Sequence, residues 1–246
     1  MLQKTKGMVL RSVKYGETSL IVTIFTEMLG IQSYLVQGIR SATPKNPYRA
    51  NIFQPSNLLD LVVYHNDRGT LHRIREFRWS RIYTEIYRNV HKNTVALYMV
   101  ELLQKCLKQP EPNQDLYAFI EDAFVHLDLA DPLVTANYPL YFTLHLAHFF
   151  GFRIQDDYSH ETPILDLREG NFTGIKPLHQ DVLEGRFSEL TSLLLKAQHP
   201  QELKSFLLSR EQRLVLLDAY LSFYAFHQPE FGTLRSVPVL HVLYEI

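Results

Sequence analysis

The sequence predicts an α+β protein in which a small five-stranded β-barrel precedes an all-helical domain. Residues 5–79 contain five short runs rich in β-branched and aromatic residues, a number and length typical of a closed barrel. No glycine occurs between Gly69 and Gly151. Such a stretch favours helices, because glycine costs about 1 kcal/mol relative to alanine in a helix interior. The expected domains are residues 1–81 and 82–246.

The predicted strands are residues 5–13, 19–27, 31–39, 58–64 and 70–79. The second run alternates regularly, which places Leu20, Val22 and Ile24 on one face. Residues 38–50 contain two prolines and three cations and are predicted to form a loop. The fifth run alternates poorly, and period 2 divides its side chains into one face with Leu71, Arg73, Arg75, Phe77 and Trp79 and another with Ile74 and Arg78.

The helical domain is predicted from apolar stripes and from start and stop signals. Val95, Met99, Leu102 and Cys106 form one stripe, and a second follows over residues 116–127. Asp131 and Pro132 resemble the start of a helix, Gly151 the end of one, and Ser209 with Gln212 a capping box. Residues 152–185 are polar and contain several glycines and prolines, so we expect an irregular segment there.

The charges are separated along the chain. Residues 1–81 contain twelve Lys or Arg and five Asp or Glu, whereas the remaining 165 residues contain thirteen and twenty-one. A basic barrel joined to an acidic domain predicts a polyanion-binding module and a second domain that meets protein partners. The single cysteine excludes an intrachain disulfide, and the first residues lack an apolar signal segment. We therefore expect a cytoplasmic protein, associated with the nucleoid if it binds DNA.

Single-stranded nucleic acid binds to basic grooves with aromatic side chains on which bases stack. The loop at 38–50 favours this interpretation, because such barrels bind oligonucleotides through their loops. The alternative is a solvated surface with scattered cations. The candidate DNA-binding residues are Lys4, Lys6, Arg11, Lys14, Arg40, Lys45, Tyr48, Arg49, Arg73, Arg75 and Arg78. The interleaved aromatic residues are Tyr15, Tyr34, Tyr48, Phe53, Phe77 and Trp79.

An enzymatic alternative is a nucleic-acid hydrolase whose metal site is formed by His145, His148 and the carboxylates at 156–166. A pair of helix-end histidines beside a solvated acidic loop explains the same residues. No phosphate-binding glycine loop or nucleophile elbow is present. We expect no catalytic residues, no metal and no cofactor. A protein-only scaffold that binds acidic partners is the third possibility.

Short motifs in order along the chain resemble the RecO family of bacterial recombination mediators. At the amino end these are Gly7–Arg11, Tyr15–Thr18, the run at 20–26, Gly30, Gly38 before the basic loop, and Gln54-Pro55. Phe149 to Phe152 resembles the end of the family's helical segment, and residues 220–240 resemble its last helices. The resemblance covers nearly the whole chain.

This resemblance implies an OB-fold barrel followed by a helical domain. It also implies a non-enzymatic mediator that binds single- and double-stranded DNA, anneals complementary strands, works with RecR and helps load the recombinase. Many members carry a four-cysteine zinc module, but residues 153–174 contain no cysteine here. The family recognises the acidic, apolar tail of the single-strand-binding protein. The cations beside the stripe of residues 95–106 are the candidates for this contact: Lys92, Lys105 and Lys108.

Overall fold

The computed structural model describes residues 1–40, 49–66, 69–107 and 111–243. Their backbone divides into two compact units. The first comprises residues 1–88 with 103–125, and the second comprises residues 89–102 with 126–246. Each unit therefore includes parts of the first two helices. The domain boundary predicted at 81/82 remains a prediction.

The first unit is built on a closed barrel of five strands, as the sequence predicts. The strands are β1 (Leu2–Tyr15), β2 (Ser19–Thr26), β3 (Gly30–Val36), β4 (Leu58–Tyr64) and β5 (His72–Trp79). Their order around the barrel is β1-β2-β3-β5-β4. All pairs are antiparallel except β3 with β5, which is parallel. This is the OB-fold arrangement that the resemblance implies.

The barrel core comes from the inward-facing residues that the alternation in β2 predicts. Val22 and Ile24 are fully buried, and Tyr34 of β3 and Phe53 of a short 3₁₀ helix (Arg49–Phe53) join them. Tyr34 and Phe53 had been predicted among the aromatic residues available for bases. Their burial in the core excludes them from that role in the folded barrel.

The faces predicted for β5 are partly wrong, because the strand contains a bulge. Val62 pairs with Glu76 and Val63 with Ile74, so Arg75 is the extra residue. A bulge breaks the period-2 alternation of a strand. Ile74 and Phe77 consequently both pack against the core, although alternation had placed them on opposite faces.

The described residues after the barrel form six α-helices: α1 (Val90–Cys106), α2 (Gln114–Leu129), α3 (Pro132–Leu146), α4 (Arg186–Lys196), α5 (Arg210–His227) and α6 (Val237–Leu243). The cap predictions are confirmed. The Asp131 carboxylate accepts a hydrogen bond from the Val134 amide at 2.9 Å. Gly151 ends the 3₁₀ turn Ala147–Phe150 with φ +79°, and Ser209 forms the expected capping box with Gln212.

The segment at 152–185, predicted to be irregular, contains a three-stranded sheet. Its strands are β6 (Ile164–Asp166), β7 (Asn171–Thr173) and β8 (Val182–Leu183), in the order β7-β6-β8. Strands of two or three residues are too short to show alternation in the sequence, which explains why they were not predicted. The domain after the barrel is therefore mostly, but not entirely, helical.

Candidate nucleic-acid interface

Strand register places an apolar row across one outer side of the barrel. Val13 of β1 lies opposite Ile21 of β2, Ile21 lies opposite Leu35 of β3, and Leu35 lies opposite Arg73 of β5. We call this side the β2–β3 face. It is formed by the outward residues of β2 and β3, by those of β1 that follow the bulge at Leu10, and by those at the start of β5. It is the side through which OB-fold barrels generally bind oligonucleotides.

Two cations flank the apolar row. Arg73 ends it, and Arg11 lies opposite Thr23 in the adjacent row. Both side chains are exposed, and neither forms an ion pair with another described residue. Tyr15 follows on the same face of β1 and is 55% exposed. Cations beside exposed apolar and aromatic side chains offer contacts to both parts of a single strand, its phosphates and its bases.

The turn between β1 and β2 brings in a third cation. The Arg40 amide donates to the carbonyl of Thr18 at 2.9 Å, and its guanidinium donates to the carbonyl of Gly16 at 3.2 Å. These bonds attach the first residues of the 38–50 loop to the β1–β2 turn. Lys14 is exposed near this turn and lies opposite Leu20.

Four further predicted cations lie on a second side, formed by β1, β4 and β5, and carboxylates compensate three of them. Lys6 contacts Glu121 of α2 at 3.1 Å, and Arg78 contacts Asp60 at 2.9 Å. Arg75 lies 3.4 Å from its neighbour Glu76. Lys4, opposite Val62, forms no ion pair with a described residue. Such matched charges present a weaker net field to a polyanion than the β2–β3 face does.

Four of the predicted site residues fall partly or wholly outside the described part of the chain. Lys45 and Tyr48 lie outside it, as does Lys108 in the predicted partner site. The backbone of Arg49 begins the 3₁₀ helix, but its side chain is not described. Their roles remain predictions.

The remaining aromatic residues differ in how accessible they are. Phe77 is half-buried and packs against Phe53, with 4.9 Å between ring centroids. Trp79 is 36% exposed at the end of β5. The sequence prediction named Tyr15 but missed the contribution of Val13, Ile21 and Leu35. The alternation of Arg11, Val13 and Tyr15 was visible in the sequence, whereas the rows across strands depend on register.

In the second unit, Lys92 lines a cavity of about 540 Å³. Its ammonium, on a residue only 7% exposed, donates to the carbonyl of Asp128 at 2.7 Å. Arg213 of α5 lines the same cavity and donates from Nε to Asn137 at 2.9 Å. Val95 and Leu240 supply apolar walls. The sequence does not predict Arg213 as a site residue, because no local pattern indicates that it lines the same cavity as Lys92.

Lys105 belongs to the first compact unit, whereas Lys92 belongs to the second. The structure thus divides the predicted partner-binding lysines, although both lie on α1. A lysine at the wall of a cavity lined by both apolar and polar side chains is a more specific site for an anionic group than a lysine on an open helix surface.

The two histidines of the enzymatic alternative differ in environment, since His145 is half-buried and His148 is exposed. His145 packs against Tyr141 with 4.2 Å between ring centroids, and burial lowers its pKa below the ordinary 6.5. His148 lies 3.5 Å from the Arg153 guanidinium. Within the described ranges, no group of three or more His, Cys, Asp or Glu side chains could hold a metal ion. None of the described helices combines the length and apolarity that a membrane crossing requires.

Comparison with known proteins agrees with this architecture. The family model for the amino-terminal domain of recombination protein O matches residues 1–83, and the model for its carboxyl-terminal domain matches residues 88–232. A DNA repair protein RecO of Bacteroides fragilis is 30% identical over 250 residues, covering all of both chains. That of Phocaeicola vulgatus is 29% identical over 99% of this chain and 100% of the relative. That of Flavobacterium psychrophilum is 31% identical over 96% and 97%. The chain therefore belongs to the RecO family of DNA repair proteins.

Proposed function

We propose that this protein is a non-enzymatic recombination mediator that binds and anneals single-stranded DNA and helps load the recombinase. It also binds double-stranded DNA and works at the nucleoid in the cytoplasm with RecR and the single-strand-binding protein. The observation that carries the proposal is the β2–β3 face, where Arg11 and Arg73 flank an apolar row of exposed Val13 and half-buried Ile21 and Leu35, without carboxylate partners in the described structure.

The chemistry of annealing needs no catalytic residue. Two complementary strands repel each other through their phosphates, and bound cations reduce this repulsion while base pairing supplies the free energy. The side chains of Arg11, Lys14, Arg40 and Arg73 contact phosphates in this proposal. Bases lie against the apolar row and stack on Tyr15, as every base has a face suited to stacking.

The test compares two double variants that lose the same charge. Arg11→Ala/Arg73→Ala removes unpaired cations from the β2–β3 face, whereas Lys6→Ala/Arg78→Ala removes cations that carboxylates already compensate. Affinity for labelled single-stranded DNA is measured as a function of salt. Each lost phosphate contact flattens the log–log salt slope by about 0.7, so we expect the first variant to flatten it by about 1.4. Equal slopes in the two variants would contradict the assignment of this face.

A second assay separates the mediator from the hydrolase alternative. Annealing of complementary oligonucleotides is measured without nucleotide or divalent metal, where a mediator of this kind remains active. Cleavage of DNA with magnesium or manganese that disappears in His148→Ala would instead support the enzyme. A protein-only scaffold would show neither DNA binding nor annealing at moderate salt.

For the protein partner, we propose that the cavity at Lys92 and Arg213 receives the acidic, apolar tail of the single-strand-binding protein. The tail is anionic and ends in apolar residues, and the cavity combines two cations with the walls of Val95 and Leu240. Lys105 on the same helix and Lys108, which lies outside the described residues, are the alternative docking residues.

Calorimetric titration of the tail peptide into the whole protein tests this assignment. Lys92→Met keeps the aliphatic stem and removes the charge. Because a hydrogen bond to a charged group contributes about 1.5–3 kcal/mol, peptide affinity should fall by about 10- to 100-fold. Lys105→Glu/Lys108→Glu is the matched variant. Loss of affinity in that variant with full affinity in Lys92→Met would move the docking site to the carboxyl-terminal half of α1.

A further inference from the structure

The barrel is closed by a very short ladder between β3 and β5. Only two residue pairs form it, Tyr34 with His72 and Leu35 with Arg73. By comparison, β1 and β4 pair at seven positions, from Leu2 with Tyr64 to Met8 with Leu58. The closing ladder is also parallel, and parallel pairing is slightly less stable per residue. One of its two positions is occupied by His72, a titratable residue.

His72 is a buried polar residue on the closing ladder. It is 4% exposed, and its Nε2 has no hydrogen-bond partner among the described residues. The hydroxyl of Tyr34, with its ring centroid 6.0 Å from that of His72, also lacks a described partner. A buried imidazole in this position is tolerated when neutral, whereas an imidazolium there would lose its hydration without gaining an acceptor.

The described groups that face His72 offer no negative charge. From the β4–β5 loop, the His65 ring stacks on His72 with 4.8 Å between centroids, and Gly69 approaches the ring. The amino group of Met1 donates to the His65 carbonyl at 2.7 Å. Arg73 is the next residue of β5, and the uncharged Tyr34 faces His72 from β3. Asp67 and Arg68 of the same loop lie outside the described residues.

We propose that closure of the barrel between β3 and β5 is gated by protonation of His72. The neutral imidazole allows the closed ladder, and the imidazolium opens it. The gate does not depend on DNA binding, but Arg73, the other β5 residue of the ladder, belongs to the proposed DNA face. Opening would therefore displace a residue of that face, and this consequence rests on the proposed function.

The direction of the pH effect follows from the environment of His72. Burial, and then the charge of His65, lower the pKa of His72 below its ordinary value of 6.5. A histidine whose folded pKa is lowered binds more protons in the open or unfolded state. The closed ladder thus has its full stability above about pH 6.5 and loses it as the pH falls toward the folded-state pKa. In that interval, the equilibrium constant for opening the ladder should increase by up to about 10-fold for each unit by which the pH falls.

Amide hydrogen exchange of the whole protein at pH 7.5 and 5.5 tests the gate, after correction for the intrinsic pH dependence of exchange. We expect faster exchange at pH 5.5 in the closing ladder, at residues 34–35 and 72–73, with little change in the β1–β4 ladder at residues 2–8 and 58–64. His72→Gln retains a polar side chain of similar size that does not titrate, and His72→Phe retains an aromatic ring but removes both ring nitrogens. Each should abolish the acid-induced increase, whereas His160→Gln, which removes an exposed histidine, should preserve it.

Three results would overturn the proposal. One is exchange at the β3–β5 ladder that does not change with pH, and another is acceleration that is uniform over all barrel strands. The third is an unchanged acid response in the His72 variants. If both variants fail to fold, the comparison of ladders in the unaltered protein decides. Measuring the binding of single-stranded DNA at pH 7.5 distinguishes failure of the gate from failure of the proposed function. Absence of binding would contradict the proposed function, while the exchange result would still decide whether the gate exists.

Discussion

Gly7 lies in β1 where this strand pairs with both of its neighbours, opposite Thr26 of β2 and Leu59 of β4. A Cβ atom added at Gly7 would lie 2.5 Å from Cγ2 of Ile24 and 3.1 Å from Cδ1 of Leu61. Ile24 and Leu61 both belong to the barrel core. The first distance is far inside van der Waals contact, so Gly7→Ala requires the core to move.

We expect Gly7→Ala to destabilise the barrel. Forcing an extra methyl group into a well-packed core costs about 1–3 kcal/mol. Replacing glycine also restricts the unfolded chain, which offsets about 0.4–1 kcal/mol of this cost. The net loss should be roughly 1–2 kcal/mol from these two effects. Urea unfolding followed by the fluorescence of Trp79, the single tryptophan of the sequence, reports on the barrel.

A double-mutant cycle tests the cause of the loss. Ile24→Ala removes the Cγ2 atom that the new methyl group would meet, so the double variant should be more stable than the sum of the single effects by about 1 kcal/mol or more. Gly16→Ala is the control, since Gly16 has φ +59° and an added Cβ meets nothing within 4 Å. Its cost is conformational and should not be relieved by Ile24→Ala. Additive effects for Gly7 and Ile24, or an unchanged midpoint in Gly7→Ala, would refute the packing argument.

Three further predictions concern the loop and a helix cap. Replacing Arg40, Lys45 and Arg49 together by alanine should flatten the salt slope of single-stranded DNA binding by about two units if the loop makes phosphate contacts, and an unchanged slope would remove it from the interface. Tyr48→Ala should weaken DNA binding by about 1–3 kcal/mol with an unaltered melting temperature, whereas a lower melting temperature with normal affinity would indicate a packing role. Asp131→Ala should cost about 0.5–2 kcal/mol of stability at pH 7. A hydrogen bond from a backbone amide of α3 is the main cause that lowers the pKa of Asp131 below 3.8, so the carboxylate's contribution is present above about pH 4 and lost as the pH falls further. Thermal unfolding at pH 7 and pH 3 measures this, and Asp131→Asn, which keeps an acceptor without the charge, should reduce the pH dependence.

Local signals determined much of what the sequence predicted. The alternation of Leu20, Val22 and Ile24 predicted β2 and its core face, and the apolar stripes predicted α1 and α2. The cap at Asp131 and the capping box at Ser209 depend on residues three positions apart. Such signals act within one element, so they can be read before the fold is known. The separation of charge along the chain likewise needed only the sequence.

The tertiary structure decided which cations remain available to bind a polyanion. Lys6 and Glu121 are 115 residues apart in the chain and contact each other through both carboxylate oxygens. Arg11 and Arg73 also lie in barrel strands, but they form no ion pair with a described residue. The bulge at Arg75 placed Ile74 and Phe77 together against the core, and the parallel pairing of β3 with β5 placed His72 against Tyr34. These outcomes depend on strand register and on contacts between distant residues, for which no short-range pattern exists.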